Sequence, residues 1–118
     1  MGYISRKPEL DIQKIPPYKQ TPADKREKQL QMMRSNVLRD EARQKFKSLI
    51  QGNICLTIKY KRCRGSADAV NIISGIADAL IAIAYRDDNQ IREVHYSETK
   101  GNIDEYWIQV EKSHARAR

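Results

Sequence analysis

Cysteine and histidine are scarce in this chain, with two of each among 118 residues. Cys55 and Cys63 are too few for a disulfide scaffold and match no zinc-binding spacing, so both read as reduced thiols. His95 and His114 have no Cys or His partner at ligand spacing; His95 reads as a strand-surface residue and His114 as part of a frayed tail. No run reaches the roughly 18 apolar residues of a membrane span. The most apolar stretch, 69–85, is interrupted by Asn71 and Asp78. The N-terminus lacks the basic-then-apolar pattern of a signal peptide, and no internal repeat is visible. These absences exclude a secreted disulfide scaffold and an integral membrane protein, and predict a soluble, cytoplasmic one.

Charge is abundant but unevenly spread. The net charge is +7. Residues 1–64 hold sixteen Lys or Arg against six Asp or Glu, whereas 65–118 hold six against nine. A basic half attracts a polyanion. An acidic half is suited to a divalent cation. The length sets a single domain.

The acidic residues fall in a pattern. Over 66–91 an apolar helix is expected at 67–84, followed at once by Asp87-Asp88. At about 100° per residue, Asn71, Gly75, Asp78 and Ala82 share one narrow face, with Asp68 and Ser74 at its edges. Ile72, Ile73, Ile76, Ala77, Leu80 and Ile83 cover the other side, and Val70 falls with this apolar set. Gly75, inside the polar stripe, predicts close approach by a backbone or a ligand. Aspartates near a core need a partner, and a divalent cation is the expected one. Taken singly, each acid has a plainer role: Asp68 at the helix start, Asp78 in solvent, Asp87 and Asp88 in a turn.

The remaining elements follow from periodicity. Residues 1–20, with Pro8, Pro16 and Pro17, read as an extended arm with a short strand near Tyr3–Ile4. Thr21-Pro22-Ala23-Asp24 reads as a helix start, and the pattern runs to Gln51, where Gly52 stops it, with a break expected near Ser35-Asn36. Residues 53–61 alternate as a half-buried strand with Ile54, Leu56, Ile58 and Tyr60 inward and Cys55 outward. A basic loop, Lys61-Arg62-Cys63-Arg64-Gly65, delivers positive charge beside Asp68. Strands at 91–98 (Val94 and Tyr96 inward) and 105–111 (Tyr106, Ile108 and Val110 inward) are expected to pair as a hairpin, with Trp107 facing out. The tail 113–118 reads as disordered. The expected fold is α+β, a small mixed sheet packed by a long basic N-terminal helix and a central acidic-striped helix, with 21–112 forming the domain.

Residues 66–91 also resemble the signature of the RusA family of Holliday junction resolvases. That signature is Asp-x-Asp-Asn-x-x-Lys, then Asp-Ala-Leu, then Gly-Ile-aromatic-x-Asp-Asp-x-Gln-Ile. Asp68 and Asn71 match its first part, Asp78-Ala79-Leu80 the second, and Ile83 to Ile91 align almost letter for letter with the third, with Tyr85, Asp87, Asp88, Gln90 and Ile91 agreeing. The match covers about a fifth of the chain. The resemblance implies a RusA-like homodimeric, magnesium-dependent endodeoxyribonuclease that cuts four-way DNA junctions in recombination and repair. It assigns Asp68 and Asp88 as catalytic, and Asp68, Asp78, Asp87 and Asp88 as the candidate ligands for Mg2+. Asn71, Ser74 and Gly75 support the motif, and Lys61, Arg62, Arg64 and Arg86 are the candidate nucleic-acid contacts.

Three departures bear on the site. The family's second aspartate is Val70, its lysine is Ser74, and the Asn-Gly after Asp-Ala-Leu is Ile81-Ala82. A missing carboxylate weakens cation binding, and a missing lysine removes charge from the scissile phosphate. Three readings stand at this point: a nuclease with an altered site, a non-catalytic member of the fold that binds branched DNA or a protein partner, and a dimeric structural protein whose acids merely cap and solvate.

Overall fold

A computed structural model describes residues 9–114. In chain order the elements are strand β1 (Glu9–Ile12), helix α1 (Lys25–Lys45), strand β2 (Ile54–Arg62), helix α2 (Ala69–Ala79), a 3-10 turn (Asp88–Gln90), and strands β3 (Ile91–Lys100) and β4 (Glu105–Lys112). The strands form one mixed sheet in the order β1-β4-β2-β3. β2 runs parallel to β3 and antiparallel to β4, and β1 is antiparallel to β4. The α+β class and the mixed sheet agree with the sequence pattern.

The alternating apolar residues of β2 and β4 make one face of the sheet. Ile54, Leu56, Ile58, Tyr60, Tyr106, Ile108 and Val110 are buried and pack with Leu38, Ala42 and Phe46 from α1 and Ile72 and Ile76 from α2. Burying an aliphatic side chain of this size is worth about 1.5–3 kcal/mol, so this inner face carries the fold. Val94 lies opposite Leu56 in register yet remains 42% exposed. Its strand is the sheet edge, where the helices no longer cover the inner face.

Several expectations are corrected. β3 and β4 do not form a hairpin, because β2 lies between them. The chain leaves β3 at Gly101, whose N–H donates to Arg62 O at 3.0 Å, and crosses the end of β2 to reach its other edge. A Cβ at Gly101 would collide with the Lys61 side chain, so the crossing is closest there. The long helix is capped by Asp24 and not Thr21. Asp24 accepts the Glu27 N–H at 2.8 Å while Glu27 accepts the Ala23 N–H at 3.1 Å. This reciprocal pair satisfies two orphan donors and outcompetes the threonine. The helix is unbroken at Ser35-Asn36 but ends at Lys45, because Phe46 turns into the core and Ile50 donates to Ala84 O at 2.8 Å.

The extended N-terminal segment is part of the sheet through β1. The strand expected near Tyr3–Ile4 lies outside the described residues, as does the tail from residue 115. Beyond β1, Pro16 and Pro17 are buried, and the backbone lies across α2.

Candidate functional site

α2 is the element around which the motif residues are arranged, and it is shorter than its hydrophobic run suggests. It stops at Ala79, and the chain tightens into turns in which Ala82 adopts φ +69° and donates its N–H to Tyr85 O at 2.7 Å. The buried Tyr85 hydroxyl donates back to Ala77 O, one of the carbonyls left over at the helix end. Tyr85 therefore stops the helix by taking up its unsatisfied acceptor.

The stripe of Asn71, Gly75 and Asp78 does not face an open site. Its Asn71–Gly75 part is covered by the chain's own N-terminal segment, while Asp78 stays exposed. Lys19 N–H donates to Asn71 O at 2.9 Å, and Lys19 Nζ stands 3.8 Å from Asp78 Oδ1. A Cβ on Gly75 would lie 2.6 Å from Tyr18 Cα and 2.8 Å from Pro17 C. The close approach signalled by the glycine is that of backbone, not ligand. Ser74 is half-buried on the same helix. Val70 does not belong to the packed face: it is 71% exposed in the first turn of α2, two residues after Asp68.

The four aspartates occupy different places. Asp68 is the N-cap residue of α2, but its carboxylate makes no capping hydrogen bond. Asp78 lies ten residues further on; at 1.5 Å per residue the two are about 15 Å apart along the helix, too far to share one ion. Asp87 caps the 3-10 turn, accepting the Asn89 N–H at 2.9 Å. Asp88 begins that turn with an exposed carboxylate. Burial first, then the negative charges of Asp88 and Asp78, push the Tyr85 phenol above its ordinary range. Asp78 and Asp88 thus flank Tyr85 at the C-terminal end of α2, and Asp68 stands at the other end. Among the described residues, the His, Cys, Asp or Glu group with three ligand atoms within 4.8 Å of one another is Cys55, Glu93 and His95, and none of the four aspartates belongs to it.

The basic loop is built differently from a flexible cationic tether. Arg62 makes a two-pronged pair with Glu98, both bonds at 2.9 Å, and also donates to Ala67 O at 2.9 Å. The Arg62 bonds hold the Glu98 carboxyl below its usual range against the opposing effect of burial, and Tyr96 O–H donates to it as well at 2.7 Å. Asp104 organises the other side of the loop. It accepts from Cys63 N–H at 2.9 Å, Arg64 N–H at 3.2 Å and Tyr60 O–H at 2.8 Å. Burial raises the Asp104 pKa, but these donors outweigh it and the net shift is downward. Lys61 stands 3.8 Å from Glu105. Of the four cations singled out in the sequence, Lys61 and Arg62 are engaged with carboxylates, while Arg64 and Arg86 are exposed. A cavity of about 200 Å³ opens beside this loop, lined by Arg34, Arg62, Arg64, Gly65 and Ser66 among others. Arg34 itself rests over the Tyr18 ring at 5.4 Å.

Sequence reasoning missed two organising residues. Gln90 reads as one letter of a motif, yet it is a clasp. Its amide donates to Ile50 O and Gly52 O, each at 2.9 Å, while its carbonyl accepts from Arg86 and Asp87 N–H at 2.9 and 3.1 Å. Asp104 carried no signal at all, since its partners lie about 40 positions away. Compared with known proteins, the chain matches no protein-family model, and no curated protein matches its sequence.

No helix among the described residues is long and apolar enough to cross a membrane.

Proposed function

We propose that this chain is a divergent RusA-like Holliday junction resolvase family protein that engages four-way DNA junctions as a homodimer. The observation that carries this reading is the placement of the motif. Its halves lie at the two ends of one strand–helix–strand crossover between parallel strands, β2 and β3. Ala82, where the family carries glycine, has a φ of +69°, a conformation that suits glycine. Gln90, matched by the last part of the motif, ties the crossover to the loop between α1 and β2. The DNA contacts of this reading are the exposed Arg64 and Arg86 with Arg34 in the cavity beside α2, and Asp68 and Asp88, which stand at opposite ends of α2, are separate carboxylates offered to Mg2+ and not ligands of one ion.

A second reading, junction binding without cutting, is favoured by one observation. The position two residues after Asp68 is exposed and holds Val70 in place of a carboxylate. A hydrophobic side chain there supplies neither a ligand nor a charge to a metal-bridged phosphate.

One experiment separates the two: incubation of an end-labelled four-way DNA junction with the protein, with and without magnesium. Paired magnesium-dependent nicks that disappear in Asp88→Asn support the nuclease. A stable uncut complex whose affinity falls steeply with salt supports the binder. Equal affinity for linear duplex and junction, with no nicks, would remove both.

A further inference from the structure

The outer face of the sheet, turned away from both helices, carries a second group of side chains with ligand chemistry. Cys55 on β2 lies directly opposite Glu93 on the parallel strand β3, and His95 follows two residues further along β3. Adjacent strands are about 4.8 Å apart, and next-but-one residues on a strand about 6.6 Å apart on the same face. The three side chains therefore stand as a triangle. One ligand atom from each (Cys55 Sγ, a Glu93 oxygen and a His95 ring nitrogen) lies within 4.8 Å of the other two.

We infer that Cys55, Glu93 and His95 form a binding site for a zinc-class divalent cation, with solvent as the fourth ligand. The distances suit it. Bonds of about 2.0–2.3 Å around a tetrahedral zinc put its ligand atoms roughly 3.3–3.7 Å apart. His95 Nε2 and Glu93 Oε2 already stand 3.6 Å apart, so that edge of the tetrahedron is formed. The thiol side has to close by about 1 Å at most, which one rotamer adjustment covers. Ser113 donates its hydroxyl to the other Glu93 oxygen, Oε1. A ligating carboxylate oriented by a hydrogen bond on its second oxygen is what built metal sites use.

Chemistry and access agree with the distances. A thiolate and a carboxylate neutralise a dication, and the thiolate–imidazole pair selects zinc-class metals over Mg2+ and Ca2+. On binding, the Cys55 S–H bond gives way to an S–metal bond and the proton leaves to solvent. Cys55 is 7% exposed whereas the His95 side chain is 63% exposed. The metal would sit closed toward the sheet and open toward water. β3 is an edge strand whose only neighbour in the sheet is β2, so a bound cation would clip that edge in place. The site is on the opposite face from α2 and is independent of the junction-binding reading.

The test is titration of the full chain, freed of metal, with Co2+ and then Zn2+. The expected result is one Co2+ per chain with a near-ultraviolet thiolate-to-cobalt absorption band, displaced by Zn2+ and untouched by excess Mg2+. Zn2+ should also raise the unfolding temperature, since a ligand bound only to the native state stabilises it. Cys55→Ser should abolish the band. His95→Gln, on an exposed side chain that the fold does not depend on, should weaken Zn2+ binding by about tenfold or more, because even loss of a group that only orients a ligand costs roughly 10–100-fold. Cys63→Ser should bind as the parent does. Absence of the band, a band lost in Cys63→Ser but kept in Cys55→Ser, or unchanged affinity in His95→Gln would each overturn the inference.

Discussion

The two ends of α2 use the same residue type in opposite ways. At the C-terminal end, two of the three aspartates have partners within the fold and, among the described residues, only Asp88 does not. Asp87 caps a 3-10 turn, Asp78 faces Lys19, and Gln90 and Tyr85 take up the backbone groups that the short helix leaves over. At the N-terminal end, the anions doing structural work are Glu98 and Asp104, which organise the basic loop, while Asp68 at the helix cap bonds to nothing that caps it. The difference teaches that an acidic stripe in a helical wheel is not one feature. A carboxylate already accepting N–H bonds has its lone pairs committed and its position set by the fold. One without them is available to a ligand. By this criterion Asp68 and Asp88 remain the carboxylates to test, and Asp87 belongs to the scaffold.

Substitutions can break this comparison in order of severity. Gly75→Ala, between the two ends, drives a Cβ into the Pro17–Tyr18 backbone. Overpacking against atoms that cannot rotate away costs about 3 kcal/mol or more, read as a lower urea midpoint. Gln90→Ala removes the clasp at the C-terminal end and leaves four backbone groups short of a partner. At about 1 kcal/mol per lost hydrogen bond, discounted for solvent access, we expect roughly 2 kcal/mol and faster amide exchange around residues 50–52. An unchanged midpoint would mean the clasp is ornamental.

Glu98→Gln probes the N-terminal end. The Glu98 carboxyl is held below its usual range in the folded protein. Its contribution is therefore present above the unfolded-state value of about 4.3 and is lost as pH falls through the lower folded-state value. The pair is partly exposed, so its loss should cost about 1 kcal/mol at neutral pH. The parent-to-variant gap should shrink toward zero in acid, and a gap constant with pH would count against the pairing. Ala82→Gly relieves a left-handed alanine and should stabilise by about 0.5–1 kcal/mol. Asp68→Asn should shift stability by less than about 0.5 kcal/mol. A larger loss would place Asp68 with the structural acids and reverse the contrast between the two ends.

Much of this was legible in the residues. Alternation in 53–61 and 105–111 located β2 and β4 and their buried faces, because a period of two leaves only one way to hide Ile54, Leu56, Ile58 and Tyr106. Gly75 announced a close approach, though not of what. The C-terminal ends of α1 and α2 fall short of the apolar pattern for one reason. Apolar periodicity continues past the point where Phe46, by entering the core, and Tyr85, by bonding back to Ala77 O, draw the chain out of the helix. The loop cations looked free because nothing local reveals Glu98 or Asp104. The outer-face triad was invisible because Cys55 and His95 become neighbours only through the parallel register.

By itself, then, the chain determined its α+β class, its inward-facing residues, its charge asymmetry and the order of its motif, since these depend on local propensity and period. The tertiary structure alone decided which strand lies between β3 and β4, what covers Gly75, and which acids are committed. Those outcomes depend on contacts between residues tens of positions apart, where the closest packing and the best satisfaction of buried polar groups choose among pairings that local sequence leaves equivalent.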